Sequence, residues 1–226
     1  MPANEPLLFP GLWVDVLREL VPRAWEGAEP SAVHQLQIAT RRLDVWLQLG
    51  GRARLRDDLR WLRRIAGPVH DLDVLIAKDW PAREARRLRS LRAVARKALR
   101  EALRAPRLTG LLTALVVSPP IHRVDARARV RPFAAKVLAL RPAEDDLEGL
   151  HHLRRVARRL RYALEWLEEP VGPLLPMQDA LGTVHELAQA IEWLGPDAVP
   201  AEVLADRAGQ ARALAHESRR FVASWS

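Results

Sequence analysis

The sequence predicts an all-α protein made of two sequential four-helix bundles, related by an internal repeat about a pseudo-two-fold axis. Three observations predict it. Apolar residues recur at helical spacing nearly everywhere, with Pro and Gly as punctuation. No stretch alternates convincingly as a strand. Two motifs return late in the chain: VHQLQIATRRL at 33–43 is echoed by LHHLRRVARRL at 150–160, and GPVHDL at 67–72 by GTVHEL at 182–187.

The breakers set the elements in order. A helix over 10–26 stops before Pro30-Ser31, and one over 31–49 stops at Gly50-Gly51. Helices follow over 52–78 and 81–105, the latter halted by Pro106, with a short apolar piece at 108–117. Within the third helix Pro68 removes a backbone donor, so a kink or a restart is expected there. Pro119-Pro120 marks the boundary between halves at about 7–118 and 119–226 of a single domain, 1–226. The second half reads as helices over 122–140, 147–168, 173–194 and 200–223, separated by Pro142, Gly172-Pro173 and Gly195-Pro196. The matched motifs lie at offsets of 117 and 115 residues, in the same order. Gly67 and Gly182 occupy one place in the two copies, where a glycine permits close helix approach.

Composition bounds the function. Of 226 residues 49% are hydrophobic, enough for a real core, and the net charge is +8. Of the 36 basic residues 33 are Arg, whose planar five-donor fork suits phosphate better than Lys does. There is no Cys, so disulfide and thiol chemistry are excluded. The N-terminus MPANEPLLFPGLW has no basic region and is broken by Pro6 and Pro10, unlike a signal peptide. The longest apolar run, near Leu111–Val117, is far short of a membrane span. The expectation is a soluble cytoplasmic protein.

Residues 149–167, GLHHLRRVARRLRYALEWL, carry the chemistry. On a helical wheel Leu150, Leu153, Val156, Leu160, Leu164 and Leu167 fall on one side. His151, Arg154, Arg155, Arg158, Arg159, Arg161 and Tyr162 fall on the other. Arg154 and Arg158, like Arg155 and Arg159, are like-charge neighbours that cost about 0.2–0.5 kcal/mol a pair. A solvated face interleaves signs, and this one does not. A second basic helix supports it: residues 83–107 carry ten Lys or Arg against Glu84 and Glu101, with Arg89, Arg92, Arg96 and Arg100 on one arc. Residues 52–64 add Arg56, Arg60, Arg63 and Arg64. Strips that face each other would make a positive groove that focuses field lines and attracts a polyanion.

These motifs resemble those of the CHAD family, the conserved-histidine α-helical domains. VHQLQIATRRL, GPVHDLDVL, LHHLRRVARRLRYALEWL and QDALGTVHEL stand in the family's order, and the resemblance covers about residues 7–223. It implies two four-helix bundles and inorganic polyphosphate held by basic residues around a central groove or pore, with association with polyphosphate granules as a consequence. By motif position it implies His34, Arg41 and Arg42 as ligands in the first copy. In the second it implies His151, Arg154, Arg158, Arg159, Arg161 and Tyr162. The supporting polar positions are Asp71, Asp73, Gln178 and Asp179, with the acids expected to hold Arg side chains in place. Gln37 and Asp44 stand where the pattern has Arg, which leaves the first copy's strip thin.

No cofactor or metal is expected. There is no GxxxxGK[ST], GxGxxG or HExxH, and no two of the seven His lie three or four apart. With neither a nucleophile nor a metal constellation evident, the chain reads as a binder and not an enzyme. Nucleic acid is the rival partner, since Arg strips suit any phosphate backbone. Single-strand readers also expose stacking aromatics. Most of the eight Trp, such as Trp46, Trp166 and Trp193, sit at apolar positions.

Overall fold

Pro10 and Gly27 bracket the first helix, α1 (Gly11–Glu26): Pro10 precedes its first turn, and Gly27 closes it in the left-handed region at φ 75°. The structure, a computed structural model, describes residues 6–226. The chain is helical almost throughout and divides into two units, Met1–His122 and Arg123–Ser226.

In the first unit α2 (Pro30–Leu49) starts with Pro30 in its first turn, where a missing N–H costs nothing. It is the most buried helix of the unit. Val33, Leu36, Leu43, Trp46 and Leu47 are inaccessible, and so are the polar Thr40 and, within 2%, Gln37 and Asp44. Full burial of each Leu contributes about 1.5–3 kcal/mol. Leu36→Ala alone would therefore remove a large share of a domain's stability, about 2–5 kcal/mol. The Trp46 indole donates to the Leu8 carbonyl at 3.0 Å. Leu8 belongs to β1 (Leu7–Leu8), which pairs antiparallel with β2 (Ile121–His122). This small ribbon is strand where the sequence pattern indicated none.

α3 (Arg56–Ile76) runs through Pro68 without restarting. α4 (Ala82–Arg104) and α5 (Pro106–Val116) follow, Pro106 opening the second of them. α2 packs between α1 and α3, α4 packs on α3 and α1, and α5 lies against α1, α3 and α4.

The second unit departs from the expected single helix over 122–140, which is two: α6 (Arg123–Ala128) and α7 (Arg131–Ala139). Pro132 lies just past the break, where its ring crowds the carbonyl four residues back, at Ala128, the last residue of α6. α8 (Leu147–Trp166) is capped by Asp146, whose Oδ1 accepts from the Gly149 N–H at 2.7 Å. A 3-10 turn at Gly172–Leu174 leads into α9 (Leu175–Leu194). The last expected helix is also two, α10 (Ala201–Glu217) and α11 (Arg219–Ala223). Between them Ser218 Oγ lies 2.9 Å from the carbonyls of both Leu214 and Pro173, a local bond that competes with the helix ladder. α8 packs on α7, α9 and α10. Among the described residues no helix is long and apolar enough to cross a membrane.

Candidate polyanion-binding site

α8 segregates its two chemistries. Leu150, Leu153, Val156, Leu160 and Leu164 are buried, as is Leu167 just past its end. On the other side Arg155 is exposed, and His151, Arg154, Arg158, Arg159 and Arg161 are half-buried. Tyr162 does not join them. It is 2% exposed, and the Arg161 guanidinium covers its ring at 5.0 Å. Ala157 and Ala163 flank the leucines and are buried with them. At 100° per residue Tyr162 lies opposite those leucines, so its burial shows that the basic side itself is covered near the C-terminal end of α8. Arg161 also faces Glu165 one turn on, at 3.5 Å.

α9 supplies the floor. A Cβ on Gly182 would lie 4.0 Å from Arg154 Nε and Nη2, so the guanidinium rests against that glycine. Three residues on, His185 Nδ1 is 3.1 Å from His151 Nδ1, with ring centroids 4.7 Å apart. A bond between two imidazole nitrogens needs one donor and one acceptor, so at most one proton lies between them. Burial holds the His151 pKa below its usual range, helped by the Arg155, Arg154 and Arg158 charges and opposed by Glu148. The ring is therefore neutral near pH 7 while no anion is bound. Gln178, 8% exposed, donates to the Ala157 carbonyl at 3.2 Å and ties α9 to α8, and Asp179 is exposed.

The first unit repeats this frame on α2 and α3. His34 Nδ1 is 3.2 Å from His70 Nε2, with centroids 4.6 Å apart. A Cβ on Gly67 would lie 4.0 Å from Gln37 Nε2, the counterpart of the Gly182–Arg154 contact. The cations are used differently. Arg41 donates to Gln37 Oε1, and Arg42 lies over the Trp13 ring at 4.4 Å. Buried Asp44 accepts from Arg56 Nε at 2.8 Å and from Arg63 Nη2 at 3.2 Å, and Arg63 also donates to the Thr40 carbonyl at 3.2 Å. Arg63 thus belongs to an internal ion-pair cluster and not to an open strip, because a buried carboxylate must be neutralised where it sits. Arg60 and Arg64 are exposed, Arg60 beside Asp57, and Asp71 is half-buried.

The α4 arc does not form one open face either. Arg89 is exposed, and Arg92 donates Nε to Asp73 Oδ1. Arg96 is 7% exposed and donates Nη2 to the Ala24 and Trp25 carbonyls at 3.1 and 3.3 Å. Those carbonyls end α1 and have no helical partner, so α4 turns an arginine inward to meet them. Sequence reasoning missed His70 and His185 as members of the site. The shared VH of GPVHDL and GTVHEL was the signal, but a search for close His spacing cannot find partners 36 and 34 residues away. Among the described residues no group of three or more His, Cys, Asp or Glu is placed to hold a metal ion.

A family model for the CHAD domain matches residues 13–195, which take in both histidine pairs and both arginine-bearing helices. The chain belongs to the CHAD family. The CHAD match runs from α1 to the end of α9, leaving α10 and α11 beyond it. The fold is similar to the crystal structure of the CHAD domain from the plant Ricinus communis, with TM-score 0.70 and 23% identity over 96% of this chain and 83% of that one. It is also similar to PptA from Streptomyces chartreusis, with TM-score 0.56 and 17% identity over 96% of this chain and 98% of that one. No curated protein matches the chain. At these identities the likeness to the solved structures is one of fold.

Proposed function

We propose that the protein binds inorganic polyphosphate without hydrolysing it. The principal surface is the α8 strip of His151, Arg154, Arg155, Arg158, Arg159 and Arg161. The thinner α2 strip of His34, Arg41 and Arg42 is its counterpart. One observation carries the reading: six basic residues share one side of α8, opposite a continuous buried apolar side. Residues 151–161 span about 15 Å of helix axis, a length suited to several consecutive phosphates. An anion laid along it relieves the Arg154–Arg158 and Arg155–Arg159 repulsion, about 0.2–0.5 kcal/mol a pair. The family resemblance supports polyphosphate as that anion. The recurring His–His and glycine contacts support reading the two units as copies of one four-helix arrangement. Binding of this kind would also bring the protein to polyphosphate granules in the cytoplasm.

The test is a calorimetric titration against long-chain polyphosphate, tRNA and single-stranded DNA at matched phosphate concentration. Polyphosphate is expected to bind tightest. A preference for either nucleic acid would replace the reading with phosphate-backbone binding of nucleic acid. Incubation with polyphosphate and Mg²⁺ or Mn²⁺ is expected to release no phosphate above a buffer control. Release that disappears in His151→Ala would overturn the non-catalytic reading.

A further inference from the structure

The α4 cations that turn away from an open strip converge elsewhere. Between α4 and the C-terminal end of α1 lies a cleft of about 610 Å³, in the size range of small-ligand sites. Trp25, Arg96, Lys97, Arg100 and Arg104 line it. Capping of α1 accounts for part of this cluster. Arg96 Nη2 meets the Ala24 and Trp25 carbonyls, and Arg100 donates Nε to the Trp25 carbonyl at 3.0 Å and Nη2 to that of Glu26 at 3.2 Å.

Capping leaves two deep donors unexplained. Arg96 Nη1 is buried with no hydrogen-bond partner, and so is the Trp25 indole N–H. Such groups are costly, more so when charged, and native structures hold few of them. Gly27 is what admits Arg96 to this depth: a Cβ there would fall 1.6 Å from Nη2 and 2.4 Å from Nη1. The charges are crowded as well. Burial lowers the Arg96 pKa, the Arg92 and Arg100 charges lower it further, and Asp73 opposes them. At the rim Lys97 and Arg104 are exposed, and Arg104 stacks over the Trp25 ring at 4.2 Å. Glu101 is the carboxylate of the lining, and it leaves the cations in excess.

We propose that this cleft is a second anion site, which takes a compact phosphoryl anion of the size of tripolyphosphate. Arg96 Nη1 and the Trp25 N–H receive its innermost oxygens, and Lys97 and Arg104 hold the outer ones. The deep donors are too enclosed for the middle of a long chain, so the ligand is either a free short phosphate or the end of a polyphosphate chain. The inference goes beyond the polyphosphate reading of α8 and uses none of that strip's residues.

The experiment is a calorimetric titration in the Arg154→Ala/Arg158→Ala background, so that α8 contributes little and failure of its reading leaves this test intact. Tripolyphosphate is expected to bind at one site per chain. Adding Lys97→Ala/Arg104→Ala should weaken it at least tenfold, and adding Trp25→Phe, which keeps a ring and removes the N–H, several-fold. Melting curves check that each variant is folded. Long-chain polyphosphate separates the two sources. A parallel loss identifies a chain end, and a loss confined to tripolyphosphate identifies a free short phosphate. Absence of tripolyphosphate binding in this background, or binding that neither added substitution changes, would overturn the proposal.

Discussion

In α2 the residues at 34, 37, 41 and 44 are His, Gln, Arg and Asp, and in α8 the residues at 151, 154, 158 and 161 are His, Arg, Arg and Arg. The surrounding frame is shared. Each histidine meets a second histidine on the next long helix at 3.1–3.2 Å, and each residue three further on rests against a glycine there. The use of charge is not shared. Asp44 draws Arg56 and Arg63 into the interior of the first unit, and Gln37 takes the Arg41 guanidinium. In α8 Arg161 stands at the place of Asp44, 3.5 Å from Glu165 one turn on. A basic residue counted along a sequence is therefore not yet a basic residue offered to a ligand. Its neighbours decide whether its charge is consumed at home.

The largest difference between the units should be one of stability. Asp44→Ala leaves Arg56 and Arg63 as half-buried cations without their carboxylate, and is expected to cost about 2–4 kcal/mol, near the lower end for a broken buried pair. Arg161→Ala, at the equivalent place in α8, breaks a longer and more accessible contact and should cost about 1 kcal/mol or less. Urea denaturation of both variants measures this. Equal losses would break the comparison.

A second difference concerns pH. The His151 pKa is lowered on folding, so below its ordinary value of 6.5 the unfolded chain holds a proton that the folded chain has lost. Stability therefore rises with pH through that window and levels off above it. Its contribution is lost as the solution is acidified. Polyphosphate neutralises Arg154, Arg155 and Arg158 and raises the pKa again, so binding takes up a proton and tightens between pH 7.5 and 6. The gain in affinity is expected to grow as the pH falls through that interval. His151→Gln should flatten this dependence. A profile unchanged by His151→Gln would remove the histidine pair from the binding account.

The smallest effect sharpens the same contrast. If log K for polyphosphate falls with log salt at a slope of about −4 to −6, two lost phosphate contacts should reduce its magnitude by about 1.4, taking the single-strand coefficient. Arg154→Ala/Arg158→Ala should show that reduction, and Arg41→Ala/Arg42→Ala should leave the slope nearly unchanged. Titrations at three salt concentrations would show it, and identical slopes in the two double variants would contradict it.

The helices and the sidedness of α8 were legible in the sequence because both follow from local periodicity: every leucine assigned to its apolar side is buried. What periodicity cannot carry is the identity of a partner on another helix. His70 and His185 became site members through tertiary pairing. Arg63 and Arg96 left the strip for the same reason, one drawn to Asp44 and the other to the open carbonyls of α1. Tyr162 shows a different limit: the wheel places it in the middle of the basic side, and only tertiary packing shows that this side is covered there. Pro132 marked a candidate break between α6 and α7, but Pro68 sits inside a continuous α3, so a proline in the sequence does not by itself decide where a helix ends.

The central claim is that α8 dominates polyphosphate binding, and calorimetric titration of the two double variants tests it most directly. Charge-assisted contacts contribute about 1.5–3 kcal/mol each. Arg154→Ala/Arg158→Ala should therefore weaken binding by about a hundredfold or more, with circular dichroism unchanged because both side chains lie off the apolar side. Arg41→Ala/Arg42→Ala, in which Arg41 is engaged by Gln37 and Arg42 by Trp13, should weaken it less than about tenfold. Equal losses from the two variants would contradict the account and make the first unit an equal partner in holding the chain.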